Sequence, residues 1–251
     1  MKSKKLQIQK PTEILLWVYG VGLAGMLLPF SRELFMMITP LNLLFATLFL
    51  FWGRWPAGRV IVTGFFIAIA SFFVEALGVN TGRIFGAYSY GRTLGPALLN
   101  TPLIIGLNWF LLIYCTNVIG RLLWEQLSSG VTGQSGQVPH AGAGMSGHLP
   151  QGKKGWPGQI PESLFVVFTG SVLMVIYDLF LEPAATRLDM WSWEYGVIPL
   201  RNYLGWFLFS AVFHTIMRIM GEEKLNMRAV PLFAVQLVFF AVIDLFYEFA
   251  A

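Results

Sequence analysis

Seven apolar runs, each close to the length that crosses a hydrocarbon layer, govern what this chain can fold into. They cover roughly residues 13–30, 34–52, 59–78, 98–124, 162–182, 197–220 and 229–250. A membrane helix needs about 20 such residues. The runs are continuous and lack the in-out alternation of a membrane barrel strand, so helix is expected throughout. With 56% hydrophobic and only 12% charged residues among 251, the chain has too little polar surface to coat a water-soluble globule. The reading is an all-α fold: a polytopic transmembrane bundle of about seven helices forming one domain over 1–251.

Orientation follows from lysine and arginine. With the N-terminus cytoplasmic, twelve of them (Lys2, Lys4, Lys5, Lys10, Arg54, Arg59, Arg121, Lys153, Lys154, Arg218, Lys224, Arg228) fall inside and five (Arg32, Arg83, Arg92, Arg187, Arg201) outside. The positive-inside rule therefore predicts a cytoplasmic N-terminus; the cell membrane is the expected location. The basic residues fall between apolar stretches and form no basic patch with interleaved aromatics, which argues against nucleic acid as a partner. The single cysteine, Cys115, has no intrachain partner. Residues from about 127 to 160 are rich in Gly, Ser, Gln and Pro and read as a flexible cytoplasmic loop. His140 and His148 lie there without an accompanying carboxylate or cysteine, so no metal site is expected.

Ionisable residues inside such runs are costly, about 3 kcal/mol at a helix centre, and need a reason. Glu75 ends the third run; Asp178 and Glu182 end the fifth, one turn apart and so on one face. Asp244 and Glu248 repeat that spacing at the end of the seventh, where headgroups could also satisfy them. Asn108 and Asn202 lie toward the outer ends of the fourth and sixth runs. Of the polar groups considered, only Asn117, expected to bond between helices, and His214, expected to be a satisfied buried histidine, fall outside the outer leaflet. Carboxyls gathered in an apolar site cannot all ionise, because desolvation and mutual repulsion oppose the added charge. One that keeps its proton suits general-acid chemistry on a lipid-soluble molecule. Phe85, Tyr88, Tyr90, Trp109, Trp191, Trp193, Tyr195 and Trp206 fall in the same leaflet and could pack along it and shield a cation with their ring faces.

Two blocks, "EALGVNTGRIFGAYSYGRTLGPALLNTPLIIGLNWF" and "DLFLEPAATRLDMWSWEYGVIPLRNYLGWF", resemble the carotenoid biosynthesis membrane protein family, of the carotenoid 1',2'-hydratase and bisanhydrobacterioruberin hydratase type. The resemblance rests on Glu75 before Gly-x-x-Thr-Gly-x-x-Phe-Gly-x-Tyr, on Glu182-Pro183 one turn after Asp178, on Trp191-x-Trp193, and on Pro199-x-x-Asn202-x-x-Gly205-Trp206. Arg201 and the long Gly-rich loop depart from the family pattern. The likeness implies hydration of the terminal C1'–C2' double bond of an acyclic carotenoid by protonation, a tertiary carbocation and capture of water. It implies no cofactor, and as partners the carotenoid, water, membrane lipid and other carotenoid enzymes. Glu75 or Asp178 would be the acid and Glu182 its partner. Thr81, Arg83, Phe85, Tyr88, Tyr90, Asn108, Trp109, Trp191, Trp193, Asn202 and Trp206 would hold substrate or water. A membrane lycopene cyclase shares the first step and differs in its product. Prenyl transfer is disfavoured because paired Asp-rich magnesium motifs are absent from the sequence. A transporter would show interrupted repeats, which are not evident, and a non-catalytic carotenoid-binding protein would leave the pigment's mass unchanged.

Overall fold

The computed structural model describes residues 3–53, 55–132, 161–220 and 224–250. Within them the chain is mostly helical: α1 (Ser3–Leu27), α2 (Arg32–Met37), α3 (Thr39–Phe51), α4 (Gly58–Thr81), α5 (Ile104–Thr132), α6 (Glu162–Arg187), α7 (Leu200–Met220) and α8 (Ala229–Ala250). Hydrocarbon offers backbone amides no partner, so continuous apolar sequence satisfies them within the segment, as helix. Five helices, α4 to α8, are long and apolar enough to cross a membrane; Pro11–Leu27 and Thr39–Phe51 are shorter apolar helices. All seven expected runs thus contain helix. Residues 133–160, with His140, His148, Lys153 and Lys154, lie outside the described residues; α5 itself continues through 127–132.

Two boundaries differ from expectation for local reasons. The run 34–52 divides between α2 and α3 because Pro40, which has no amide hydrogen, sits in the first turn of α3, where none is needed. The run from 98 begins as a hairpin, β2 (Ala97–Leu98) with β3 (Thr101–Pro102), and helix starts only at Ile104. Leu99 and Asn100 both have positive φ, 53° and 59°, the backbone of a tight turn whose twist matches its strands.

The core is organised around α5, whose segment Trp109–Cys115 is buried among α3, α4, α6, α7 and α8. Without a hydrophobic drive between helices in lipid, close backbone approach holds such a bundle, which requires small residues at the crossings. At Gly106 a Cβ would collide with the Ala68 carbonyl of α4. Gly106→Val is therefore expected to lower stability by about 1–3 kcal/mol through overpacking, read as a fall in the melting temperature of the detergent-solubilised protein.

Candidate active site

The site is closed by a two-stranded antiparallel ribbon that joins loops about a hundred residues apart. Strand β1 (Tyr88–Tyr90) pairs with β4 (Trp191–Trp193), in the register Tyr88 to Trp193, Ser89 to Ser192 and Tyr90 to Trp191. Side chains alternate across a strand, so both tyrosines and both tryptophans share one face while the serines take the other. The serine hydroxyls meet at 3.3 Å, with both residues exposed. Tyr88 packs on Trp193 and Tyr90 on Trp191, with ring centroids 5.2 and 6.1 Å apart. The aromatic face thereby aims four polar hydrogens at the helix ends beneath.

Two carboxyls receive those hydrogens. Tyr88 and Tyr90 donate to Glu75 Oε2 at 2.6 and 2.8 Å, and Trp109 Nε1 of α5 donates to Glu75 Oε1 at 2.8 Å. Trp191 and Trp193 donate to Glu182 Oε2 at 2.9 and 2.8 Å. In the first turn of α7, the Asn202 amide bridges Glu182 Oε1 at 3.0 Å and Asp178 Oδ2 at 2.6 Å. Glu75, Asp178 and Glu182 are 5%, 0% and 2% exposed. Their hydrogen-bond partners among the described residues are all neutral, and the arginine–carboxylate contacts lie elsewhere. Burial holds the Tyr88 and Tyr90 phenols well above the usual tyrosine range, so both stay protonated.

These groups surround a cavity of about 30 Å³. Glu75, Phe85, Tyr88, Tyr90, Asn108, Trp109, Glu182, Trp191, Trp193, Asn202 and Trp206 all line it, together with Ile105 and Leu181. Trp206, one turn beyond Asn202, stacks on Trp109 with centroids 4.6 Å apart and planes at 27°. Such π faces beside buried acids suit a transient carbocation.

Four of the residues expected here lie elsewhere. Asp178 does not line the cavity: it is bonded to Asn202, and no donor among the described residues reaches its Oδ1. Thr81 bonds back to the Leu77 carbonyl, and Arg83 is exposed. Gly82, with a left-handed backbone (φ 64°), caps α4 directly after Thr81, its amide on Gly78 O. Tyr195 is 83% exposed, because the strand ends at Trp193 and Gly196 turns the chain at φ 67°.

The other polar residues of the apolar runs have separate surroundings. Asp244 and Glu248 contact Arg187 at 3.3 and 3.6 Å. His214 is buried between the Ser210 carbonyl (2.7 Å) and the Thr116 hydroxyl (2.9 Å), as a satisfied core histidine would be. Asn117 is buried, but no acceptor among the described residues reaches its Nδ2, so the expected interhelical bond from that amide is not made. Sequence reasoning overlooked Asn42 and Gln236, each a single amide within an apolar run. They line a second cavity that shares Ile105, Asn108, Leu181 and Trp191 with the first.

Comparison with known proteins adds two findings. The family model described as "Carotenoid biosynthesis protein" matches residues 34–250. A bisanhydrobacterioruberin hydratase of Haloarcula japonica is 26% identical over 151 residues, 58% of this chain and 40% of that protein, so the match spans less than half of the curated relative. No solved structure matches.

Proposed function

We propose that this chain, which belongs to the carotenoid biosynthesis protein family, is a hydratase that adds water across the terminal C1'–C2' double bond of an acyclic carotenoid by acid catalysis. The observation carrying this reading is the group of three buried carboxyls whose hydrogen-bond partners are all neutral. Each unpaired buried ion costs several kcal/mol, so the group retains at least one proton. A retained proton beside stacked aromatic faces is what protonation of an unactivated alkene requires.

The donor sets divide the roles between the two carboxyls on the cavity wall. The partners of Glu182 are N–H groups, which only donate, so its oxygens serve as acceptors. Two partners of Glu75 are phenol hydroxyls, which can rotate to accept, so Glu75 is hydrogen-bonded both with and without a proton. Glu75 gives its proton to C2', leaving a tertiary cation at C1' faced by Trp109 and Trp206. Water bonds to C1' through oxygen, and the proton it releases passes to Glu182. The sum is alkene plus water to tertiary alcohol, and proton return from Glu182 to Glu75 resets the site. Asp178, behind Asn202, holds that amide toward Glu182.

The chain acts in this reading as a membrane protein of the cell membrane with a cytoplasmic N-terminus. Expression in a host that accumulates an acyclic carotenoid, followed by mass analysis of the pigment, tests it. A gain of one water per modified end is expected. Unchanged mass with a new ring would replace hydration by cyclisation of the same cation, and unaltered pigment that copurifies would leave binding alone.

A further inference from the structure

Beside the acid cavity lies a chamber of about 50 Å³, walled in part by Tyr19 of α1, Asn42 of α3, Asn108 of α5 and Gln236 of α8. The two spaces meet at Ile105, Asn108, Leu181 and Trp191. Glu75 lines the first and not the second; Tyr19, Asn42 and Gln236 line the second and not the first, and Tyr19 and Asn42 also border a larger apolar cavity of about 500 Å³. An alkene end at the junction would have the acid on one side and these polar groups on the other.

Gln236 is 2% exposed. Its Nε2 donates to the Tyr19 hydroxyl oxygen at 3.0 Å, and no donor among the described residues reaches its Oε1. A buried acceptor left so costs about 1–3 kcal/mol. A hydrocarbon chain in the chamber would leave that cost standing and would face Asn42 and Asn108 as well. A water molecule removes it by donating to Oε1. Water needs about 10–15 Å³ of such space and two to four polar partners; the chamber offers both.

We infer that this chamber stores the water that captures the carbocation, with Gln236 and Tyr19 as positioning residues and Asn108 at the opening through which water reaches C1'. The inference rests on the hydratase reading above. It separates two tasks: Glu75 governs how often the cation forms, and the Gln236 chamber governs what becomes of it. A cation not met by water loses a proton and returns to an alkene, or is captured by an internal double bond. Neither outcome changes the mass by a water.

The experiment reads that partition. Membranes supplied with an acyclic carotenoid are incubated in D2O, and pigments are resolved into hydrated product and unhydrated carotenoid carrying deuterium from a returned or cyclised cation. Gln236→Leu is expected to lower the ratio of hydrated to deuterated unhydrated pigment at least fivefold. Tyr19→Phe, which removes one hydroxyl, should lower it about twofold. The ratio is counted per cation formed, so loss of folded protein does not move it; if Gln236→Leu yields no protein, Tyr19→Phe decides. An unchanged ratio in the variants, with hydration falling only in step with protein amount, overturns the chamber's role and leaves the hydratase standing. Wild-type protein that incorporates deuterium without adding water, or does neither, overturns the hydratase reading and this inference with it.

Discussion

Glu75→Gln is expected to reduce carotenoid hydration by about 10²–10⁴-fold, the range lost when a positioned general acid is removed. The substitution keeps the volume of the side chain and a carbonyl oxygen to accept from the phenols of Tyr88 and Tyr90 or from Trp109. Its new amide hydrogens can be taken up by a tyrosine hydroxyl, which accepts as readily as it donates. The fold should therefore persist while the transferable proton is gone. Hydrated pigment per unit of folded protein, with melting temperature as the control, checks this. Retention of full activity would remove Glu75 from the mechanism and move the acid to Glu182 or Asp178. The same variant assayed in D2O should form little deuterated pigment of any kind, which separates it from the chamber variants, whose cations still form.

Glu182→Leu is expected to damage the fold as well as the chemistry. Glu182 accepts from Trp191, Trp193 and Asn202, all buried, and leucine strands the three donors together. Each stranded donor costs about 1–3 kcal/mol, against a total stability of about 5–15 kcal/mol for a folded domain. The solubilised variant should melt well below wild type, with an early change in tryptophan fluorescence as β4 separates from the helix end. Glu182→Gln should retain more of the fold, since its carbonyl still accepts, while water addition falls for want of a base. Equal melting temperatures for wild type and Glu182→Leu would show that the ribbon is held by something other than this carboxyl.

Much of this arrangement is legible along the chain. Apolar runs of spanning length specify helices because lipid offers the backbone no other partner, and all seven runs contain helix. The spacing of Asp178 and Glu182 places both on one face, and Asn202 bridges them. The alternation in Tyr88-Ser-Tyr90 and Trp191-Ser-Trp193 was also present as a strand signal, in two short segments of matching pattern. What periodicity could not say is that these segments pair with each other: their serines are 103 residues apart, and pairing at that separation depends on how α4, α5 and α6 pack.

That packing also decided the fate of individual candidates. Hydropathy and helical phase locate Glu75, Asp178 and Glu182 equally well, yet only Glu75 and Glu182 reach the cavity, because Asn202 stands before Asp178. Thr81 and Arg83 belong to the same motif as Phe85 and Tyr88, yet only the latter two line the cavity: the Thr81 hydroxyl is bonded to the Leu77 carbonyl and Arg83 is exposed. Asn42 and Gln236 carried no signal beyond being lone amides in greasy runs, and became neighbours only when α3 and α8 closed on α1 and α5. Hydrophobicity and helical phase are properties of neighbouring residues and can be read in order. Which donor meets which acid is a property of surfaces brought together from distant parts of the chain, and it exists only once the bundle has packed.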